Sequence, residues 1–192
     1  MKKKSRRLAT AVSALALLFS VGASPASALN LVTNGDFESG DFSGWAQNGA
    51  YTYVNSNHPF SGNFAAELGT SGGMGSLTQT INTIPGFEYE LSFALATSGG
   101  APSEFRAVVN GTPLLTLTDV GNTPYSIASL IFTAGDTPTE ISFLERNDVG
   151  AFILDNVAVD LAPVPEPSTL LLLGIGLLGA GYLRMKTQKK AA

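Results

Sequence analysis

The sequence has no cysteine and a single histidine. Without cysteine there is no thiol nucleophile, zinc–thiolate site or disulfide, so a folded domain of this chain must be stabilised by its own core. A serine–histidine–aspartate triad would have to use His58, which lies in a loop-like Asn-His-Pro segment, and the sequence has no Gly-x-Ser-x-Gly motif. These absences argue against catalysis by a thiol or by a serine–histidine–aspartate triad.

Basic residues are also scarce between the two ends of the chain. Residues 29–161 contain fourteen Asp and Glu against two basic residues, Arg106 and Arg146, which gives a formal charge of −12. A protein that binds duplex nucleic acid needs positive charge in order to release counterions from the phosphates. The charge therefore argues against nucleic acid as a partner, whereas it is compatible with bound calcium.

The N-terminus has the three parts of a secretory signal peptide. Five basic residues within positions 2–7 precede a charge-free apolar stretch over 8–21, and Ala26-Ser27-Ala28 has the small-residue pattern of a cleavage site. We predict a signal peptide at 1–28, recognised at Ala26 and Ala28, and a mature chain that begins at Leu29. The alternative is an uncleaved membrane helix, for which the apolar stretch is short.

The C-terminus has an apolar run between a proline-rich segment and a basic tail. Leu170 to Leu183 contains no charged residue, and four basic residues follow: Arg184, Lys186, Lys189 and Lys190. The run is shorter than the roughly 20 residues of a relaxed membrane span, so its length alone would suit a buried helix. Its glycines and its one-sided basic flank favour a membrane helix. We predict a linker at 162–167, a transmembrane helix at 168–184 and a basic cytoplasmic tail at 185–192.

The segment Val164-Pro165-Glu166-Pro167-Ser168-Thr169, followed by this Leu- and Gly-rich run and its basic end, resembles the PEP-CTERM sorting signal of Gram-negative bacteria over 163–190. The resemblance implies a membrane-anchored intermediate at the inner membrane, processing by an exosortase-type enzyme, and delivery to the cell surface or the extracellular matrix. Pro165, Glu166 and Pro167 would form the sorting motif. The two prolines keep Glu166 in an extended segment that suits entry into the active site of that enzyme.

Residues 29–161 show the two-residue alternation of half-buried strands. Apolar side chains occupy alternate positions in 91–95, 105–109 and 141–143, and in 152–159 with one break. Asn110-Gly111 lies between two such runs and predicts a hairpin, because Asn-Gly readily adopts positive φ at both central turn positions. With nine or ten short strands and no helical pattern, we predict an all-β domain, an antiparallel β-sandwich of the jelly-roll type.

The two ends of this domain carry a second resemblance. The opening Asn34-Gly-Asp-Phe-Glu38, the pair Gly44-Trp45, the pair Ser61-Gly62 and the close Leu154-Asp155-Asn156-Val157 resemble the galactose-binding-like jelly rolls of many carbohydrate-binding modules. That fold implies that the first and last strands lie close together and that a structural calcium ion ties them.

The same resemblance implies the ligands of the calcium ion. They would be two carboxylates and two backbone carbonyls, namely Glu38 and Asp155, and Gly35 and Asn63. Calcium takes about six to eight oxygen ligands, so loop carbonyls would complete the shell. The alternative is that Glu38 accepts hydrogen bonds from a turn and that Asp155 caps a strand end.

Aromatic side chains are the usual platform for a sugar ring, and three tyrosines are candidate ligand-binding residues: Tyr51, Tyr53 and Tyr125. Tyr51 and Tyr53 would point the same way if 51–54 is a strand. Trp45 is expected to pack in the core behind the first strand.

Three functions are open at this point. The first is a non-enzymatic exported surface or matrix protein, sorted by an exosortase-type system, that binds exopolysaccharide. The second is a purely structural matrix component without a ligand, and the third is a glycoside hydrolase that uses Glu88, Glu90 or Asp119. Two carboxylates on one strand face more often keep an edge soluble. We therefore expect the first function, with no catalytic residue and with structural calcium as the cofactor.

Overall fold

A computed structural model describes residues 30–135, 138–163 and 173–181. The predicted signal peptide with Ala26 and Ala28, and the sorting motif Pro165-Glu166-Pro167, lie outside the described residues. The described part contains ten strands: β1 (Ala46–Asn48), β2 (Thr52–Asn55), β3 (Ala65–Leu68), β4 (Gly75–Ile81), β5 (Glu88–Thr97), β6 (Ser103–Val109), β7 (Thr112–Thr118), β8 (Thr123–Thr133), β9 (Thr139–Asn147) and β10 (Phe152–Leu161).

The ten strands form two antiparallel sheets of five strands each. The first sheet has the order β1-β4-β9-β6-β7, and the second has the order β2-β3-β10-β5-β8. The chain changes sheet repeatedly, so most neighbouring strands are distant in sequence. This is the all-β sandwich of jelly-roll type that the alternation predicts, and the prediction is confirmed.

The inner faces of the two sheets form one core. Leu91, Phe93 and Leu95 of β5 are buried, as their spacing predicts. Four phenylalanine rings from both sheets are in contact at the centre, with ring centroids 5.1 Å apart for Phe93–Phe143 and 5.3 Å apart for Phe105–Phe152. Among the residues that the structure describes, the core residues all lie between positions 32 and 159. The sandwich therefore has a complete core of its own, and we expect it to fold without the ends of the chain.

One local prediction is also confirmed, and one irregularity of the sequence pattern is explained. Asn110 and Gly111 have φ of 47° and 77° and connect β6 to β7, as expected for a hairpin turn. The break in the alternation over 152–159 is a β-bulge between Asp155 and Ala158, where Asn156 has φ of 50°.

The two ends of the domain lie side by side. The Leu31 amide donates to the Val159 carbonyl at 2.9 Å, and the Asn30 side chain accepts from the Val159 amide at 3.0 Å. Gly35 is in direct backbone contact with β10, because a Cβ at this position would lie 2.0 Å from the Val157 carbonyl oxygen. The opening segment is thereby fixed along the last strand.

A single helix, α1, spans residues 173–181 in the described part, within the range predicted to be transmembrane. The remainder of that predicted range, 168–184, lies outside the described residues. Within the described residues, no helix combines the length and the hydropathy that crossing a membrane requires.

Candidate functional site

A polar cleft of about 370 Å³ lies at the β2 edge of the second sheet. Three segments that are distant in sequence form it: the start of β2, the end of β3 with the residues after it, and the loop between β9 and β10. Its lining includes Tyr51, Tyr53, Glu67, Ser71, Asp148 and Val149. The structure therefore brings two of the three predicted tyrosines together.

The two tyrosines reach the cleft in different ways. Tyr53 belongs to β2, whereas Tyr51 precedes that strand and has φ of 67°, so the condition of a strand over 51–54 is not met. A tyrosine in the left-handed region does not follow strand alternation. Both side chains still line the same cleft, with 71% of Tyr51 and 46% of Tyr53 exposed.

Glu67 of β3 forms the floor next to Tyr53. Its Oε1 accepts a hydrogen bond from the Tyr53 hydroxyl at 3.2 Å, and its Oε2 accepts one from the Asn55 side chain at 2.6 Å. The negative charge of Glu67 raises the pKa of Tyr53 above its ordinary value. The Tyr53 ring is thus fixed in place by a charged acceptor.

The opposite wall is the loop of residues 147–151. Arg146 donates to Asp148 with 2.7 Å between Nη2 and Oδ2, and this hydrogen bond holds the pKa of Asp148 at about 2. The Gly72 amide donates to the same carboxylate at 2.9 Å. The buried Asn147 accepts from the Gly150 amide at 2.7 Å. This wall is therefore held in one conformation by hydrogen bonds within the protein.

A buried carboxylate lies in the core at this end of the sandwich. Glu145 of β9 is 1% exposed, and it accepts from the Thr70 amide at 2.9 Å, from the Thr52 hydroxyl at 3.0 Å and from the Thr70 hydroxyl. Burial raises the pKa of Glu145, although these hydrogen bonds oppose the rise. Glu145 belongs to the first sheet, whereas Thr52 belongs to β2 of the second sheet and Thr70 follows β3, so Glu145 connects the two sheets next to the cleft.

Sequence reasoning did not identify Glu145, although a signal was present. Glu145 continues the inward alternation of Ile141 and Phe143, so an acidic residue stands where the pattern calls for an apolar one. A Cβ at Gly75 would lie 2.3 Å from the Glu145 carboxylate, which explains the glycine at this position.

Tyr125 does not join the cleft. It lies on β8, four strands from β2 in the second sheet, which is about 19 Å at the usual strand spacing. Its hydroxyl donates to the His58 carbonyl at 2.7 Å, and its ring centroid is 5.2 Å from that of Phe60. Burial raises the pKa of Tyr125. Tyr125 therefore supports the 56–64 loop, the connection between β2 and β3.

The calcium candidates Glu38 and Asp155 both contact the 56–64 loop. Glu38 accepts hydrogen bonds from the Asn63 amide at 2.7 Å, from the Asn63 side chain at 3.0 Å and from the Phe64 amide at 2.8 Å. These bonds lower the pKa of Glu38. The Gly35 carbonyl, a third candidate, accepts from the Val157 amide at 2.8 Å.

Asp155 is buried and also accepts from backbone amides. Its donors are the amides of Phe60 at 2.9 Å, Ser61 at 3.1 Å and Asn156 at 2.7 Å. Burial raises the pKa of Asp155, and the negative charge of Glu38 raises it further. The carboxylates of Glu38 and Asp155 both contact the 56–64 loop, and they are close enough to repel each other electrostatically.

The groups that face these carboxylates are N–H donors, and each carboxylate uses three of its roughly four acceptor positions for them. In the described part of the chain, no three His, Cys, Asp or Glu side chains form a group that could hold a metal ion. The geometry as it stands fits the hydrogen-bonded alternative. Calcium binding by Glu38, Asp155, Gly35 and Asn63 stays a prediction.

The carboxylates of the hydrolase hypothesis lie on different sheets. Glu88 and Glu90 are on β5 of the second sheet, where the Ser129 hydroxyl donates to Glu90. Asp119 follows β7 of the first sheet, and it accepts from the Ser103 amide at 2.8 Å. Asp119 thus contacts the first residue of β6, which leaves Glu88 and Glu90 as the pair on one strand.

Comparison with known families identifies two parts of the chain. Residues 38–160 match the family described as protein of unknown function DUF642, and the chain belongs to this family. Residues 163–186 match the PEP-CTERM protein-sorting motif, which confirms the resemblance at the C-terminus and indicates an exported protein sorted to the cell surface. A search of curated proteins gave no match.

The fold is similar to that of solved carbohydrate-binding modules. The module TmCBM61, solved with β-1,4-galactotriose, has a TM-score of 0.56 and 18% identity, over 69% of this chain and 99% of that one. The CBM22-1 xylan-binding domain from Paenibacillus barcinonensis Xyn10C has a TM-score of 0.54 and 14% identity, over 74% and 100%.

A third similar structure contains such a module joined to a catalytic domain. It holds the CBM22-1 and GH10 modules of Clostridium thermocellum xylanase 10B with xylohexaose, with a TM-score of 0.53 and 20% identity, over 70% of this chain and 29% of that one. At these identities the likeness shows the fold alone, and it confirms the jelly-roll sandwich as the architecture of the domain.

Proposed function

We propose that this DUF642 protein is a non-enzymatic, exported surface or matrix protein whose sandwich domain binds exopolysaccharide in the cleft around Tyr51 and Tyr53. The observation that carries the proposal is the exposure of two tyrosines in one polar cleft with firmly held walls. The fold that it shares with carbohydrate-binding modules supports this function.

The chemistry of the cleft suits a carbohydrate. The tyrosine rings offer apolar faces for the C–H side of a sugar, and Glu67 and Asp148 offer acceptors for its hydroxyl groups. A volume of about 370 Å³ is within the usual range for small-ligand clefts. Because the walls are already fixed by internal hydrogen bonds, little conformational entropy is lost when a ligand binds.

The charges favour a neutral polysaccharide. The two arginines of the domain are both paired with carboxylates, Arg106 with Glu104 and Arg146 with Asp148. The domain has a formal charge of −12, so a polyanion would be repelled on approach. We expect neutral glucans, xylans or galactans to bind, and uronate-rich polymers to bind weakly.

The sorting motif supports the processing partner and the cellular location in this proposal. The PEP-CTERM match supports an exosortase-type enzyme as the processing partner and a transient membrane association through the C-terminal segment. A binding domain released or displayed at the surface would then meet exopolysaccharide in the matrix.

The test is a glycan array followed by titration calorimetry with the sandwich domain. Tyr51→Ala and Tyr53→Ala should each weaken binding about tenfold or more, as expected for an aromatic anchor. Phe87→Ala is the matched control, because Phe87 is an exposed aromatic outside the cleft. Absence of any retained neutral glycan would favour the purely structural role. Turnover that is lost in Glu90→Gln would favour the hydrolase.

A further inference from the structure

The second sheet ends in an edge strand without the usual protection against pairing. β8 has 11 residues and, among the described residues, pairs only with β5. It has no charged residue, and it has neither proline nor glycine from Tyr125 to Thr133. Proteins usually keep edge strands short, charged or interrupted, because their free N–H and C=O groups can pair with another strand.

The other three sheet edges have this protection. β1 has 3 residues and β2 has 4. β7 has 7 residues and contains Pro113, which cannot donate a hydrogen bond to a neighbouring strand. β8 is therefore the edge at which an additional strand can pair over the longest uninterrupted stretch.

The outward face of β8 carries two exposed isoleucines. Ile127 is 69% exposed and Ile131 is 51% exposed, and both lie on the same face with Ser129 between them. The face therefore has the pattern Ile-x-Ser-x-Ile, which reads the same in both directions around Ser129. A pattern of this kind is complementary to itself when two strands run antiparallel.

We propose that two copies of the chain pair through β8, antiparallel, with Ser129 facing Ser129 of the second copy. In this register Ile127 of each copy lies opposite Ile131 of the other, so four exposed isoleucines become two cross-strand pairs. Any other register that keeps the faces aligned leaves an isoleucine of each copy without an isoleucine partner. The two second sheets then form one continuous sheet of ten strands.

The charge distribution directs the contact to this edge. A domain with a formal charge of −12 repels its own copies over most of its surface, and β8 contributes no charge to that repulsion. The nearest acidic group on the neighbouring strand is Glu90, which accepts a hydrogen bond from Ser129 and lies opposite Ile131. Added salt should therefore strengthen the dimer by screening the remaining repulsion.

The geometry has a consequence for binding, which rests on the proposed function, whereas the dimer itself does not. β2 and β8 are the two ends of the second sheet, so pairing through β8 leaves both clefts at the outer ends of the joined sheet. Nine strand spacings separate them, which is about 43 Å. A dimer would therefore bind a polysaccharide at two points, with avidity that a single domain lacks.

Introduced cysteines test the register of the strand pairing. Because the sequence has no cysteine, every disulfide must form between introduced residues. Ser129→Cys should form an intermolecular disulfide on mild oxidation, because facing residues of antiparallel strands are about 4.5–5.5 Å apart at Cα, within the range of a disulfide. Ile127→Cys alone should not link, since the two copies of residue 127 would be about 14 Å apart. A mixture of Ile127→Cys and Ile131→Cys should link.

Sedimentation equilibrium of the sandwich domain tests the dimer without oxidation. The average mass should rise from monomer toward dimer with concentration and with salt. The double variant Ile127→Lys/Ile131→Lys should remain monomeric, and Thr116→Lys, an exposed position on β7, should behave as the wild type. Circular dichroism confirms that each variant is folded. A wild type that is monomeric at every concentration, or equal linking of Ile127→Cys and Ser129→Cys, would overturn the proposal.

Discussion

Glu38 and Asp155 hold one loop from two different parts of the chain. Glu38 accepts from the amides of residues 63 and 64, and Asp155 accepts from the amides of residues 60 and 61. Glu38 belongs to the opening segment and Asp155 to the bulge in β10. The 56–64 loop is therefore fixed to both ends of the domain by carboxylates that bind backbone N–H groups.

Asp155→Asn should destabilise the domain. Asp155 is fully buried, and an amide in its place would turn its N–H group either toward the amides of Phe60 and Ser61 or toward that of Asn156. Loss of buried hydrogen bonds to a charged acceptor costs about 2–3 kcal/mol. Urea unfolding measures the change, with Asp36→Asn as an exposed control. An unfolding free energy equal to that of the wild type would show that Asp155 does not hold the loop.

Gly62→Ala should be more harmful than Gly86→Ala, although both glycines have positive φ, 63° and 81°. A residue other than glycine in this region costs about 1–2 kcal/mol, and this cost is common to both variants. At Gly62 the new Cβ would also lie 2.4 Å from the Glu38 carboxylate, whereas nothing lies within 4 Å at Gly86. The difference in Tm between the two variants isolates the contact with Glu38, and equal Tm values would rule it out.

Calcium binding at Glu38 and Asp155 has a direct thermal test. If calcium binds only the folded domain, a hundredfold excess over Kd adds about 2.7 kcal/mol to the unfolding free energy. The calcium hypothesis therefore predicts that millimolar EDTA lowers Tm, and that Asp155→Asn removes this response. The hydrogen-bonded arrangement predicts the same Tm with calcium and with EDTA, and that result would refute the ion site.

The faces of the central strands could be predicted from the sequence, because their alternation is strong and local. Leu91, Phe93 and Leu95 face the core as expected, and the Asn110-Gly111 turn needs only its two residues. The prediction that the first and last segments lie side by side rests on the resemblance at both ends of the domain. These features depend on short-range pattern or on a motif, so they do not require the sheet order.

The cleft could be predicted only in part. Its walls come from 51–53, 67–71 and 147–151, and these segments meet because β3 lies between β2 and β10. The sequence offers Tyr125 as an aromatic candidate beside Tyr51 and Tyr53, yet the strand order places it at the other end of the sheet. The positive φ of Tyr51 has no local signal either, since tyrosine rarely adopts it. The strand order and the positive φ of Tyr51 depend on contacts in the assembled sandwich, so the local sequence does not reveal them.

The titration of Glu145 should lower the stability of the domain as pH rises, which is the opposite of the usual effect of a carboxylate. Burial raises its pKa in the folded state, so the folded protein binds a proton more tightly than the unfolded chain. The favourable contribution is therefore present at low pH, and it is lost as pH rises from the ordinary pKa of glutamate through the raised one. Asp148 acts in the opposite direction, because its contribution is lost as pH falls from 3.8 toward about 2.

Glu145→Gln separates the two effects, because it removes the titration of Glu145 and leaves Asp148 unchanged. Unfolding free energies of wild type and variant should be compared by urea titration from about pH 4 to about pH 7. The wild type should lose stability relative to the variant as pH rises. A difference between the two proteins that is constant with pH would show that Glu145 has the same pKa folded and unfolded.

The sorting motif should depend on its prolines as well as on Glu166. Proline disfavours helix in its own position and in the residue before it, so from the sequence we expect Pro165 and Pro167 to act as a barrier to helix at Glu166. Replacement of both prolines by alanine removes this barrier, and we expect the native host to accumulate an unprocessed, membrane-associated form. Immunoblots of cell fractions and the mass of the mature protein measure the outcome. Ser168→Ala/Thr169→Ala keeps both prolines and should be processed normally, and normal processing of the double-alanine variant would show that an extended segment is not required.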